Sequence, residues 1–285
     1  MKKYFRLLRL KNYIKNFLIF LPFVFSGAFT TINSNYINLL VGFVAFCFAS
    51  SFIYILNDYM DMDKDKLHPV KCNRPLASGE ISVKKAICIA IILSVCILLS
   101  LFYLRILPAA ILLLLYIFLN LLYSLKLKNV PIVDVAILSL FFIIRIYYGA
   151  FLVGVPVSVY LYLTVMSVSF MMGVNKRKNE KRLSEDCRST LNYYSYDFLN
   201  KMSQTFMSLS AIFYSLWIIS DTNILFNKTI MQISIFLVVF ILMLYQYIVD
   251  KDDNGNPVDV LLNNKMLLLS VLAYGVLIIV AFLLK

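Results

Sequence analysis

Asp58, Asp61 and Asp65 stand three and four residues apart at the end of a long apolar segment, Tyr36 to Leu56. On a helix, at about 100° per residue, the three lie within about 60° of one another, while Asp63 points elsewhere. Carboxylates on one face repel unless a cation lies between them. Carboxylates, waters and phosphate oxygens together form the hard-oxygen octahedron that Mg²⁺ prefers, with Mn²⁺ as the substitute ion. Asn57, directly before the first carboxylate, adds an amide oxygen to that donor set. Lys71 and Arg74 follow, and both suit phosphate oxygens. Acid for a metal and base for phosphate describe a diphosphate site at a membrane surface. The competing reading is a solvated loop of mixed charge. His68, the single histidine of the chain, stands one turn beyond the acids, where it either contacts substrate or shapes the loop. Pro69 disfavours the α conformation at position 68, so the carboxylate helix is expected to end near Leu67.

Two further stretches carry charge where chemistry could use it. After the fourth apolar run come Tyr123, Ser124, Lys126 and Lys128, and then Asp134 just inside the fifth. Arg145 is eleven residues on, close to the same helix face and about 16 Å along the axis. A charge deep in a span is costly and signals function unless an internal ion pair accounts for it; Arg145 is open to either explanation. The sixth run ends in Lys176-Arg177-Lys178-Asn179-Glu180-Lys181-Arg182, and the basic loop continues through Arg188 and Tyr193-Tyr194. Such a run is a positive anchor at the membrane surface or a phosphate grip, and Glu180 lies one turn after Lys176, within pairing reach. Residues 1–16, with Lys15, make a basic amphipathic segment suited to anionic lipid or to the entry of an anionic lipid substrate.

These residues need elements to hold them, and composition says which. A chain of 285 residues that is 61% hydrophobic and 15% charged is not a soluble domain. Nine apolar runs of membrane-spanning type are expected, at about 17–32, 36–56, 86–104, 107–123, 132–150, 157–175, 204–221, 229–249 and 266–284. None alternates as a strand would, and lipid leaves helices as the solution for runs this long. The expected fold class is therefore all-α: a polytopic membrane protein forming a single domain over 1–285, with cytoplasmic active-site loops at about 57–85, 124–132 and 176–203.

The net charge of +12 is placed against nucleic-acid binding. Nearly all lysines and arginines fall in segments on the amino-terminal side of the membrane, and only Arg105, Lys228 and Lys285 on the other. This bias puts the amino terminus and the large loops in the cytoplasm and the carboxyl terminus outside, and it favours an odd number of spans. The basic start leads into a full-length span without a cleavage-type site, so no cleaved leader is expected. The five cysteines lack metal-type spacing and read as packing or incidental thiols.

The order Asn57-Asp58-x-x-Asp61-x-x-x-Asp65, then Tyr123-Ser124 and Asp134 in a nine-span chain, resembles the UbiA superfamily of intramembrane prenyltransferases. His68-Pro-x-Lys71-x-x-Arg74-Pro75, Lys128-x-x-Pro131-x-x-Asp134, Arg145 and Lys176-Arg177-x-x-Glu180 make it most similar to the branch that transfers phosphoribosyl to decaprenyl phosphate. The resemblance implies a phosphoribosyl pyrophosphate donor, a polyprenyl phosphate acceptor and Mg²⁺, in a bacterial inner membrane; a homo-oligomer is compatible with it. Asp58, Asp61 and Asp65 would then hold the metal, and Asp134 would join them as a catalytic residue. Lys71, Arg74, Lys176 and Arg177 would hold pyrophosphate or the 5-phosphate. The second acidic motif of typical UbiA prenyltransferases pairs aspartates four apart, and here Asp134 is followed by Leu138. The alternatives are isoprenyl transfer to an aromatic acceptor on the same carboxylates, and a transporter or lipid-binding scaffold.

Overall fold

The computed structural model describes residues 2–27, 35–67, 71–182, 189–220, 226–251 and 255–284. Every element among them is helical, as expected of apolar runs whose backbone groups must find partners within the segment. The chain divides into two compact units, Met1–Leu125 with Ile144–Pro156, and Lys126–Ile143 with Val157–Lys285.

The first unit begins with α1 (Lys2–Leu8), a 3₁₀ run over Leu10–Phe20 and α2 (Leu21–Phe25). The long α3 (Asn35–Met60) follows, then α4 (Met62–Lys66), a 3₁₀ turn at Lys71–Asn73, α5 (Val83–Leu104) and α6 (Leu107–Leu125). Leu7, Ile55, Leu76, Ile81, Ala86, Ala90 and Leu93 form one buried cluster, so α1 and the 71–82 loop are tied to the end of α3 and the start of α5 by apolar burial. α5 and α6 meet at a tight corner: Arg105, in the left-handed region at φ 51°, caps α5 by donating its N–H to Leu101 O.

α7 (Val133–Val153) gives its first half to the second unit and its second half to the first. In the first unit Gly149 of α7 meets the 3₁₀ run so closely that a Cβ there would lie 1.9 Å from Ile19 O. Only glycine admits that approach.

The second unit continues with α8 (Val159–Arg182), a 3₁₀ turn at Ser189–Tyr193, α9 (Tyr196–Ile219), α10 (Lys228–Lys251), α11 (Pro257–Asn263) and α12 (Lys265–Leu283). Its core is Met171 of α8 against Leu242, Tyr245, Ile248 and Val249 of α10, with Val260 and Leu267. Ser195 starts α9 by accepting the Phe198 N–H at 3.0 Å, and Asn264 does the same for α12 through Leu267.

Among the described residues seven helices are long and apolar enough to cross a membrane: α3, α5, α6, α7, α9, α10 and α12. Two of the nine expected spans are not among them, for different reasons. The first is described as the 3₁₀ run and α2, with residues 28–34 outside the described part. The sixth is α8, long enough at 24 residues, but its last turns are the polar stretch Asn175–Arg182. The expected loop at 176–203 is thus helical at both ends, and the loop at 57–85 is helical as far as Lys66. The chain is an all-α, multi-pass membrane protein.

Candidate active site

The acidic cluster keeps helical spacing although α3 stops at Met60. The Asp61 N–H donates to Asn57 O at 2.9 Å and the Asp65 N–H to Asp61 O at 2.8 Å, so the i to i−4 ladder runs from α3 into α4. Asp58 and Asp65 are buried and face the same way: Arg74 Nη1 lies 3.2 Å from Asp58 Oδ1 and 2.6 Å from Asp65 Oδ2. Arg9 also donates to Asp58 and stacks over the Tyr54 ring at 4.7 Å. Asp61 is half-buried, and Asp63 turns to solvent, where it pairs with Lys66 at 2.8 Å. Asn57 accepts from the Ser124 hydroxyl at 2.7 Å, which joins the start of the acidic motif to the end of α6. Lys71, in the 3₁₀ turn beside Arg74, is half-buried, as are Lys15 and Tyr123. His68 lies outside the described residues.

Arg145 is buried in the same unit. Its Nε donates to Asn16 Oδ1 at 2.9 Å and its Nη2 to the Tyr116 hydroxyl at 3.1 Å. The guanidinium sits 5.0 Å from the centroids of both the Phe46 and the Tyr116 rings. Hydrogen-bond acceptors and aromatic faces thus surround a cation within an apolar helix. Asn16 comes from the amino-terminal basic segment, so that segment is not only a surface anchor.

The second unit gathers Asp134, Arg177, Glu180 and Tyr194. Asp134 and Arg177 are fully buried and 2.5 Å apart through Arg177 Nε, and Arg177 Nη1 reaches Glu180 Oε2 at 2.5 Å. The guanidinium expected to grip phosphate is thus committed to two carboxylates. The Glu180 side chain reaches Arg177 at i, i+3. The Tyr194 hydroxyl donates to Asp134 Oδ1 and accepts the Ile132 N–H, each at 2.5 Å. Burial first, and then donation to the Asp134 carboxylate, push the Tyr194 phenol above its ordinary value. Ile132 is in the left-handed region at φ 68°, where a β-branched residue is strained by about 1–3 kcal/mol. Lys178 is buried too, donating to Asp250 at 2.7 Å and Asn200 at 2.8 Å. Lys126 is exposed, and Lys128 and Lys176 are half-buried; Arg188 lies outside the described residues.

Residues 19–283 match the profile of the UbiA prenyltransferase family. The chain belongs to the UbiA prenyltransferase family. It is 29% identical over 284 residues, 96% of its length and 85% of the relative's, to decaprenyl-phosphate phosphoribosyltransferase of Corynebacterium glutamicum. It is 29% identical over 229 residues, 76% of this chain and 72% of the other, to the Mycolicibacterium smegmatis protein of the same name. The UbiA homolog of Archaeoglobus fulgidus bound to GPP and Mg²⁺ shares its fold with a TM-score of 0.72 and 20% identity, covering 97% of this chain and 99% of that one. A digeranylgeranylglyceryl phosphate synthase shares it at 0.67 and 18%, covering 100% of this chain and 99% of that one. The resemblance carried by the acidic and basic motifs is borne out at the level of the family.

For a UbiA protein the fit of a divalent cation can be judged from the donors. Asp58 and Asp65 converge on one guanidinium nitrogen, so two buried carboxylates already surround a common positive point, and Asp61 is on the same ladder. That oxygen set suits Mg²⁺. Among the described residues no three acidic, thiol or imidazole groups form a finished cation cage; the positive charge between the carboxylates belongs to Arg74. Sequence reading missed Arg9 and Tyr194 as partners of the acids. Their contacts join residues 49 and 60 positions apart, and no local spacing reveals that.

Proposed function

We propose that this UbiA-family protein transfers the 5-phosphoribosyl group of phosphoribosyl pyrophosphate to a polyprenyl phosphate of decaprenyl type, releasing pyrophosphate. The observation that carries the reading is the match along 96% of the chain to a decaprenyl-phosphate phosphoribosyltransferase. A phosphate oxygen of the acceptor attacks C1 of the ribose, the C1–O bond to pyrophosphate breaks, and the electron pair leaves with pyrophosphate. The acceptor oxygen is already anionic, so no strong general base is required. Charge grows on the leaving group, and stabilising it there is the main catalytic task.

Asp58, Asp61 and Asp65, with Asn57 before them, are the residues that would hold Mg²⁺, or Mn²⁺ in its place. When bound, the ion supplies Lewis-acid stabilisation of the leaving pyrophosphate. Arg74 and Lys71 bind anionic oxygens of the donor, and Tyr123 and His68 are assigned to substrate binding with them. Lys126, Lys128, Lys176 and Arg188 are assigned to phosphate binding as point charges or forks. Arg145 and Lys15 are assigned to the phosphate head of the acceptor. Asp134 is assigned to the catalytic set and Arg177 and Glu180 to substrate binding, the three being linked by ion pairs in the second unit. The charge bias supports a cytoplasmic amino terminus and active-site residues with the carboxyl terminus outside, and the bacterial relatives support a bacterial plasma membrane. The whole chain, 1–285, acts as one catalytic domain in this reading, and assembly into homo-oligomers is compatible with it.

Isoprenyl transfer to an aromatic acceptor is the second reading, favoured by the A. fulgidus structure with GPP and Mg²⁺. Against it, Leu138 stands where a second aspartate would follow Asp134, and Asp134 itself is bound to Arg177 and Tyr194. The test is pyrophosphate release from phosphoribosyl pyrophosphate by the purified protein. Release is expected only when Mg²⁺ and a polyprenyl phosphate are both present; release unaffected by the lipid would contradict lipid phosphoribosylation.

A further inference from the structure

The turn that enters α7 is built against its own backbone preference. Ile132 is 63% exposed, so packing does not demand isoleucine, and its positive φ is one that glycine or asparagine adopts far more readily. The Val133 N–H donates to Pro131 O at 2.8 Å, closing a tight three-residue turn around it. The Ile132 N–H is the group that Tyr194 accepts, while the same phenol donates to the Asp134 carboxylate two residues further on. Tyr194 is itself held: it is buried against Val135, Val174 and Leu199, its ring lies parallel to Phe198, and Lys181 ties the preceding 3₁₀ turn to α8 through Leu191 O at 2.9 Å. Upstream the chain is bonded residue to residue. The Asp134 N–H donates to Val130 O, the Val130 N–H to Leu127 O and the Asn129 N–H to Lys126 O. Whatever fixes Ile132 therefore fixes the Leu127–Asn129 turn and the lysine in it.

We propose that Tyr194 is a positioning residue, a latch that holds the strained Ile132 turn and through it the pose of Lys128. This rests on the anion-binding role of Lys128 given above. A strained, exposed turn retained by a buried hydrogen-bond clamp is the arrangement expected where the position of a loop, more than its stability, matters.

The test uses the full chain in detergent or nanodiscs, with two readouts: KM for phosphoribosyl pyrophosphate, and affinity for inorganic pyrophosphate alone. Tyr194→Phe removes both latch bonds and should weaken both readouts about tenfold while leaving kcat within about twofold, the scale of a lost hydrogen bond to a charged group. Ile132→Asn takes the left-handed conformation without support, keeps the N–H and disturbs no packing, so alone it should change neither readout. In the Tyr194→Phe background it should restore both. Unchanged values in Tyr194→Phe would overturn the latch, and so would a loss that Ile132→Asn does not rescue. Should Tyr194→Phe fail to accumulate, a folded double variant with wild-type values supports the latch, and one with tenfold weaker values overturns it. Failure of the double variant to fold would also overturn it. Absence of phosphoribosyl transfer in the wild type would overturn the proposed function instead, and the latch would still be read from the pyrophosphate affinities.

Discussion

Asp61 and Asp63 are two residues apart, carry the same side chain, and make opposite predictions. Asp61 continues the ladder that carries Asp58 and Asp65, while Asp63 pairs with Lys66 in solvent. Asp61→Asn should lower Mg²⁺-dependent turnover by roughly 10–100-fold or more, the range found for residues that tune a metal site. Asp63→Asn should stay near wild type, since exposed pairs are worth little. Steady-state turnover against Mg²⁺ concentration for the two variants decides this, and equal losses would show that the shared face is irrelevant. That Asp58 and Asp65 face one way was legible in the sequence because spacing sets it, and the break at Asp61 does not disturb the backbone ladder. Arg74 was legible as a cation near the acids, but not the detail that it bridges Asp58 and Asp65. Arg177 reads in sequence as a phosphate grip, yet its guanidinium is taken by Asp134, 43 positions away, and by Glu180. Spacing along a chain says nothing about which distant carboxylate will meet a buried cation.

Elements in this chain are set mainly by apolar length, and their contacts by where small residues allow close approach. The 3₁₀ run Leu10–Phe20 packs on the second half of α7 at Gly149, with the Ile19 carbonyl against its Cα. Gly149→Ala should destabilise by about 1–3 kcal/mol, because backbone cannot yield as a flexible side chain can. Gly275, in α12, has nothing within 4 Å of where its Cβ would be. Alanine there should leave the protein unchanged or slightly more stable through helix propensity. Thermal unfolding midpoints in one detergent compare the two variants, and equal shifts would mean the Ile19 contact is not formed. Long apolar helices such as α3 and α5 were legible from sequence, because hydrophobic length is sufficient evidence for a span. The amino-terminal segment was not. Its basic, amphipathic pattern suits a surface helix, whereas part of it forms a 3₁₀ run that buries Asn16 against Arg145. The carboxyl end of α8 was legible only as positive charge; that Arg177, Lys178 and Asn179 are buried depends on partners from α7, α9 and α10.

Across the whole chain the net charge is +12, and the proposed topology collects most of it in the segments that carry the carboxylates. The proposed reaction needs anionic substrates whose reacting ends lie at the membrane surface and, for the acceptor, a chain that lies in lipid. A ribosyl donor with two phosphorylated ends and a lipid phosphate acceptor make the fullest use of those cations; in isoprenyl transfer to an aromatic acid only the donor carries phosphate. The family was legible because its motifs are local, whereas the donor is decided by contacts that motifs do not specify. The most direct measurement is transfer of radiolabel into an organic-extractable lipid by the purified protein with Mg²⁺. Labelled phosphoribosyl pyrophosphate with polyprenyl phosphate is run beside labelled geranylgeranyl diphosphate with an aromatic acid. Label is predicted to enter lipid from the ribosyl donor, and no prenylated aromatic product to form from the isoprenyl one. Prenylation of the aromatic acid, with no label from the ribosyl donor, would contradict phosphoribosyl transfer.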